Sequence, residues 1–257
     1  MGGGSKITGL GANTSPLTTD VLPLIDIGTT ASQKITIANL LTLFVSNVVV
    51  QTLTATGTYT PTANMKKCLA ICVGGGGGGG GGINTDSAGG GGGGGGTAIK
   101  LFTSADIGAS KAFTIGAAGT GETSAGNQAA GDSTYIGAGG SEILRATGGG
   151  YGTSGPAWSA AYVYAAGGAG GVGDVGDLLI AGSPGEIGVT WSGTLGYGGV
   201  GGCSFFGGGG LGPAVNTAGT VGGSYGAGGG GGHASAVTNK NGADGKIGVI
   251  YIIEFLG

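Results

Sequence analysis

Few residues in this chain have the side chains that do chemistry. There is one histidine, His233, and there are three cysteines, Cys68, Cys72 and Cys203. Nucleophilic catalysis needs a hydroxyl or thiol beside a base, and a structural metal site needs several Cys or His at short spacing. His233 ends a glycine tract and has neither, so it reads as a surface or structural residue and no metal site is expected. Cys68 and Cys72 lie four apart in a strand-like run, about 13 Å apart on one face, which exceeds disulfide reach. They read as small buried hydrophobes, and Cys203, among glycines, reads as structural. Asp174 and Asp177 (GDVGD) are three apart, on one face if the chain there has three residues per turn. They have the charge to hold a cation, but a solvated pair is the simpler reading. Asp132 and Glu142 are isolated. GAGGSE at 137–142 matches loose nucleotide-loop patterns, yet it lacks the strand–loop–helix context and no GK[ST] follows. The expectation is a protein that is not an enzyme and carries no cofactor.

Recognition chemistry is better represented. Tyr151, Trp158, Tyr162 and Tyr164 fall within GGYGTSGPAWSAAYVYAAGG; Trp191 and Tyr197 follow in VTWSGTLGYGG, and Tyr225 stands further on. Tyr and Trp pair an apolar face with a hydrogen-bonding tip, which suits sugars or protein loops. These seven are the candidate binding residues. Trp158 and Trp191 fit two roles equally, docking a partner or packing on the flank of the glycine-rich body. Phe205 and Phe206 read as core. The remaining composition narrows the partners. Charged residues are 8% of the chain and the net charge is −3. No basic stripe is present, so nucleic acid is not expected. No uninterrupted apolar stretch of about 18 residues occurs, so no membrane insertion is expected. MGGGSKITG at the start does not read as a signal peptide.

The elements that must position these residues are unusual. Of 257 residues, 71 are glycine, including runs at 74–82 and 89–96. Low charge argues against a disordered tail and scarce proline against collagen. The flanks read as strands. VVVQTLTATGTYTPT (48–62) is β-branched with a turn or bulge at Gly57. MKKCLAICV (65–73) alternates with both faces apolar, as a strand buried on two sides would. TAIKLFTSAD (97–106), SKAFTIGAAGTG (110–121) and STYIGAGGSEILRATGGGYG (133–152) each open with a short strand. DGKIGVIYIIEF (244–255) is the closing strand, placed to pair with the first. Between 150 and 243 glycine recurs every third residue: 167, 170, 173 and 176; 193, 196, 199 and 202; 223, 226, 229 and 232. A polyproline-II-type helix has about three residues per turn and no internal hydrogen bonds. Glycine helices of that kind can pack side by side and bond laterally, which offsets the ordering cost of about 1–2 kcal/mol per residue. INTDSA (83–88) reads as a reversal between two such helices; the competing reading is that the glycine runs are loose linkers. Residues 1–47 have ordinary complexity and read as a separate small β module. Its strands are expected near Asp20–Ile27, with Pro23 marking an edge, and near Lys34–Ile37, with Ala38–Phe44 a helical turn or continuing strand.

The succession TATGTYTPTANMKKCLAICVGGGGGGGGG, strands ending in glycine tracts, and NGADGKIGVIYIIEF resembles the glycine-rich tip domains of bacteriophage tail fibres and adhesins, over about residues 52–257. TSPLTTDVLPLIDIGTTASQKITIANLL is similar to the connector modules at the starts of phage fibre proteins. The resemblance implies a mainly β fold with polyglycine-II helices. In that fold a β-strand framework carries a packed polyglycine-helix sandwich over 48–257, behind an N-terminal connector at 1–47. It further implies a virion protein, assembled in the host cytoplasm and acting outside the cell, whose exposed loops touch a host outer-surface receptor, protein or glycan. Other tail or baseplate proteins would be met through residues 1–47, and a homotrimer is expected. The alternatives are a purely structural glycine-rich fibre or coat protein and an ice-binding protein.

Overall fold

A computed structural model describes residues 21–25, 32–36 and 47–257, apart from 84, 124–125, 160–161, 193, 215 and 236–237. The regular structure is almost all antiparallel β. In chain order the strands are β1 (Val21–Ile25), β2 (Ser32–Thr36), β3 (Asn47–Leu53), β4 (Gly57–Tyr59), β5 (Met65–Val73), β6 (Ser87–Ala88) and β7 (Thr97–Thr103). After a helical turn at Ser104–Ile107 come β8 (Lys111–Thr114), β9 (Thr134–Ala138), β10 (Ser141–Ala146), β11 (Val163–Ala165), β12 (Gly173–Val175) and β13 (Leu178–Ile180). The last are β14 (Gly188–Ser192), β15 (Leu195–Tyr197), β16 (His233–Ala234) and β17 (Val249–Leu256).

β1 and β2 pair as an antiparallel hairpin near the two positions expected in the N-terminal module. The expected turn or strand at 38–44 lies outside the described residues.

Two five-stranded sheets, ordered β13-β7-β5-β17-β3 and β12-β10-β9-β8-β4, form the base of the molecule. The closing strand does pair with the first: β17 lies between β5 and β3, Ile252 opposite Ala70 and Gln51. Cys68, Ala70, Cys72, Ile250 and Ile252 are fully buried and pack with Phe113, Ile136, Leu144 and Ala146 of the second sheet. Burying each large aliphatic side chain contributes about 1.5–3 kcal/mol. β5 is not buried on two sides, as its alternation suggested: Leu69 and Ile71 remain half exposed. The stretch 48–62 is not one strand; it breaks at 54–56, and β4 passes to the second sheet. Within 133–152, Gly139 and Gly140 turn β9 into β10 as a hairpin. Glu254 is buried in this base, and its Oε1 accepts from the Tyr59 hydroxyl at 2.5 Å, Gln51 Nε2 at 3.0 Å and the Thr62 N–H at 3.2 Å. Burial also pushes the Tyr59 hydroxyl and the Cys72 thiol well above their ordinary pKa values.

The glycine tracts leave this base from the end of β5, where Val73 pairs with Val249, and return at β7. Along 74–80 each N–H turns to a different neighbour and comes back to the first after three residues. Gly74, Gly77 and Gly80 donate to the carbonyls of Gly96, Gly93 and Gly90; Gly75 and Gly78 to Asp132 and Ala129; Gly76 and Gly79 to Lys246 and Ala243, all at 2.8–3.0 Å. The carbonyls follow the same rhythm. Those of Gly75 and Gly78 accept from Gly149 and Gly152, those of Gly76 and Gly79 from Gly119 and Glu122, and those of Gly77 and Gly80 from Gly229 and Gly232. The buried tract is thus bonded to six surrounding segments. The tract 89–96 is bonded likewise, donating into 147–153, 183–186 and 226–232 and accepting from 74–80, 168–171 and 199–202. A buried backbone must satisfy its polar groups, and here neighbouring tracts rather than sheet ladders do so.

Candidate functional site

At the far end of the glycine block the chain reverses through residues 83–88, and a small two-layer cap forms. β6 pairs with β16, His233 opposite Ala88, beneath a three-stranded sheet ordered β11-β14-β15. In that sheet Val163 pairs with Thr190 and Tyr164 with Val189, which also pairs with Tyr197. Opposed residues of an antiparallel pair point to the same side. Thr190 and its partner Gly196 therefore face inward, while the rows through Val189 and Trp191 face outward. A Cβ at Gly196 would collide with the His233 ring, so only glycine lets this strand close over the cap.

The outward face gathers four of the seven candidates. Tyr162, Tyr164 and Trp191 are 65%, 60% and 54% exposed, and Tyr197 is half-buried beside them. The Tyr162 and Tyr164 rings lie 6.5 Å apart; Trp191 and Tyr197 meet edge to face at 5.3 Å. Leu195 adds exposed apolar surface. Trp191 sits on β14, so its ring is held by sheet register. Trp158 lies at the same end. Its backbone N–H donates to the Asp86 carbonyl at 3.2 Å, and its half-buried indole leaves a buried Nε1 without a partner. Tyr151 is exposed on the flank of the block. Tyr225 is at the opposite end: its carbonyl accepts from the Ser204 hydroxyl, and the residue lines a cleft of about 360 Å³ with Lys246 and Ile247.

Under the cap two ionisable side chains, His233 and Glu122, are fully buried. His233 Nδ1 accepts from the Asn216 N–H at 3.3 Å, and burial holds the imidazole below its ordinary pKa, partly opposed by the charge of Asp86. Glu122 accepts from Gly81 N–H and Gly126 N–H, both at 2.8 Å, and from the Ser154 hydroxyl at 2.6 Å. It seals the end of the 74–82 tract. No sequence pattern marks Glu122, since two of its three partners, the Gly81 N–H and the Ser154 hydroxyl, are distant in the chain.

Of the two roles open to His233, surface or structural, the enclosed position fits the second. Other readings change. Asp174 and Asp177 do not share a helix face: Asp174 is on β12, 3.5 Å from Arg145, and Asp177 accepts from the Leu101 N–H. Cys203 is exposed, and of Phe205 and Phe206 only the second is half-buried, against Tyr251; Phe205 is 49% exposed. Among the described residues no three His, Cys, Asp or Glu side chains are grouped to hold a metal ion. No helix among them is long and apolar enough to cross a membrane.

A family model described as a glycine-rich domain matches residues 51–253. A search of curated proteins finds no match.

Proposed function

The chain belongs to the glycine-rich domain family, and on that premise we propose that it is a bacteriophage tail fibre tip adhesin, a non-catalytic protein that docks on a host outer-surface receptor. The glycine segments act as polyglycine-II helices packed into a sandwich; the three-residue repeat of their lateral hydrogen bonds supports this reading. The observation that carries the function is the outward aromatic face of the cap. Tyr162, Tyr164 and Trp191 stand in solvent at the end of the block remote from Asn47, where β3 begins. A rigid scaffold that displays preordered rings loses little further entropy on binding. Residues 1–47 serve as the connector to the rest of the fibre, and the protein works on the virion outside the cell.

The test is adsorption of purified protein to a panel of bacterial strains, with Trp191→Ala, Tyr162→Ala and Trp158→Ala compared with the parent. Loss of at least tenfold in apparent affinity is expected for Trp191→Ala and Tyr162→Ala, with circular dichroism unchanged. Undiminished adsorption of both would remove the receptor role and leave a purely structural glycine-rich fibre protein.

A further inference from the structure

The outward face of the cap carries rings but no charge. None of the residues of β11, β14 and β15 is charged. Glu186, just before β14, is tied into the glycine block: its N–H donates to Val200 and its carbonyl accepts from Gly91. Asp86 belongs to the layer beneath, next to β6 in the chain. The polar groups of the face are hydroxyls, those of Tyr162, Tyr164 and Tyr197, with Ser192 and Thr194 where β14 turns into β15. Ser192 Oγ accepts from the Thr194 N–H at 3.4 Å, which leaves its own proton to donate. The Tyr162 and Tyr164 rings stand 32° from parallel, and Trp191 and Tyr197 form a second pair at 61°. Val189, opposite both Tyr164 and Tyr197, is only 6% exposed, so its neighbours close over the floor and the rings themselves are the contact surface. Strand and residue spacings give the three-stranded face roughly 14 by 17 Å, about 240 Å² in projection.

We infer that the receptor is an uncharged polysaccharide of the host surface, a chain of hexose units whose C–H faces stack on the two ring pairs. This rests on the receptor role proposed above and gives it a chemistry. Size argues against a folded protein, since a stable protein complex takes about 800 Å² from each partner, roughly three times this face. Charge argues against acidic polymers, because the three strands offer no cation to neutralise them. A neutral pyranose fits what is left. Its C–H bonds carry partial positive charge that meets the negative face of an aromatic ring, and its rim hydroxyls meet those of Tyr, Ser and Thr. A repeating chain reaches both ring pairs, and the second contact is intramolecular once the first is made.

An array of purified bacterial surface polysaccharides, neutral and acidic, probed with the labelled full chain at about 0.05 and 0.5 M NaCl, reads the ligand class. Retention on neutral members is expected, changing by less than about twofold between the two salt concentrations because no opposite charges are there to be screened. Trp191→Ala and Tyr162→Ala should each weaken that retention at least about tenfold, while Phe205→Ala, exposed on the base side, leaves it unchanged; circular dichroism checks that each variant is folded. On cells that adsorb the chain, periodate treatment should abolish adsorption and protease treatment should spare it. Retention confined to acidic members, a tenfold loss at the higher salt, or no retention at all overturns the inference. Adsorption that protease abolishes and periodate spares also overturns it, yet leaves the receptor role standing with a protein as the partner. Undiminished adsorption of Trp191→Ala and Tyr162→Ala removes both.

Discussion

Replacing Gly77 by alanine tests whether the tightness of the glycine block, rather than glycine's flexibility, holds the protein together. The added methyl would sit on the carbonyl of Gly150, 2.6 Å from its carbon. Carbon atoms in contact prefer about 3.5–4.0 Å, so the 147–153 tract would have to retreat by about 1 Å. That tract is tied to its neighbours by Gly149 N–H to Gly75, Gly152 N–H to Gly78 and Gly93 N–H to Gly150, at 2.8–2.9 Å. A retreat of that size stretches all three beyond hydrogen-bond range. Each net bond is worth about 0.5–1.5 kcal/mol, and a buried group left unpaired costs about 1–3 kcal/mol. The expected loss is therefore about 3–5 kcal/mol, a large part of a typical domain's 5–15 kcal/mol. Gly208→Ala is the counterpart: a Cβ there meets nothing within 4 Å, and a narrower unfolded ensemble makes it neutral or stabilising by about 0.4–1 kcal/mol. Urea denaturation followed by circular dichroism measures both, and amide exchange at 74–96 reports the block itself. Equal midpoints for Gly77→Ala and the parent would refute the reasoning, because a packing that accepts a methyl there is not the one described.

Two further outcomes follow from the buried polar groups of the cap. Glu122→Ala leaves the buried Gly81 N–H and the Ser154 hydroxyl without their acceptor and should cost about 2–4 kcal/mol, while Glu122→Gln, which keeps one acceptor oxygen, should cost less than half of that. Denaturant midpoints of the two variants check the order. Burial holds the His233 imidazole below its ordinary 6.5, so the unfolded chain takes up a proton at a higher pH than the folded one. Its stabilising contribution is whole above pH 6.5 and is lost as the pH falls through 6.5 toward the lowered folded value. The melting temperature should accordingly drop between pH 7.5 and about pH 5, and His233→Asn should flatten that part of the profile.

The strands were legible wherever alternation and β-branching met the glycine tracts. β5, β7, β8 and β17 lie where those patterns put them, and the pairing of β17 with β5 was foreseeable from two apolar runs flanking one body. The period of three was visible in spaced glycines such as 199 and 202, whose N–H groups bond to Gly89 and Gly92. In the pure runs it was invisible, because nine successive glycines satisfy any period. Neighbours of each tract are chosen by lateral bonds between distant segments, and no local pattern encodes them. For that reason Tyr225 and Trp191, 34 positions apart in similar surroundings, could not be told apart, although they stand at opposite ends of the block. The outward placement of Tyr162, Tyr164 and Trp191 depends on strand register, which three-residue strands do not announce. Cys203 reads as structural because glycine surrounds it in sequence, yet its side chain is exposed.

The order in which the chain visits its bonding partners bears on how it can be made. Gly76 bonds to Lys246 and Gly119, and Gly79 to Ala243 and Glu122. While a ribosome is still synthesising residue 240, the tract that left it some 160 residues earlier lacks one of its six neighbours and the strand that closes the base. Contacts so far apart in sequence delay folding until the loops between them close. The nascent polypeptide must therefore carry its longest glycine runs in an unsatisfied state until residues 243–256 emerge, and removing residues 243–257 should yield insoluble product rather than a smaller folded one.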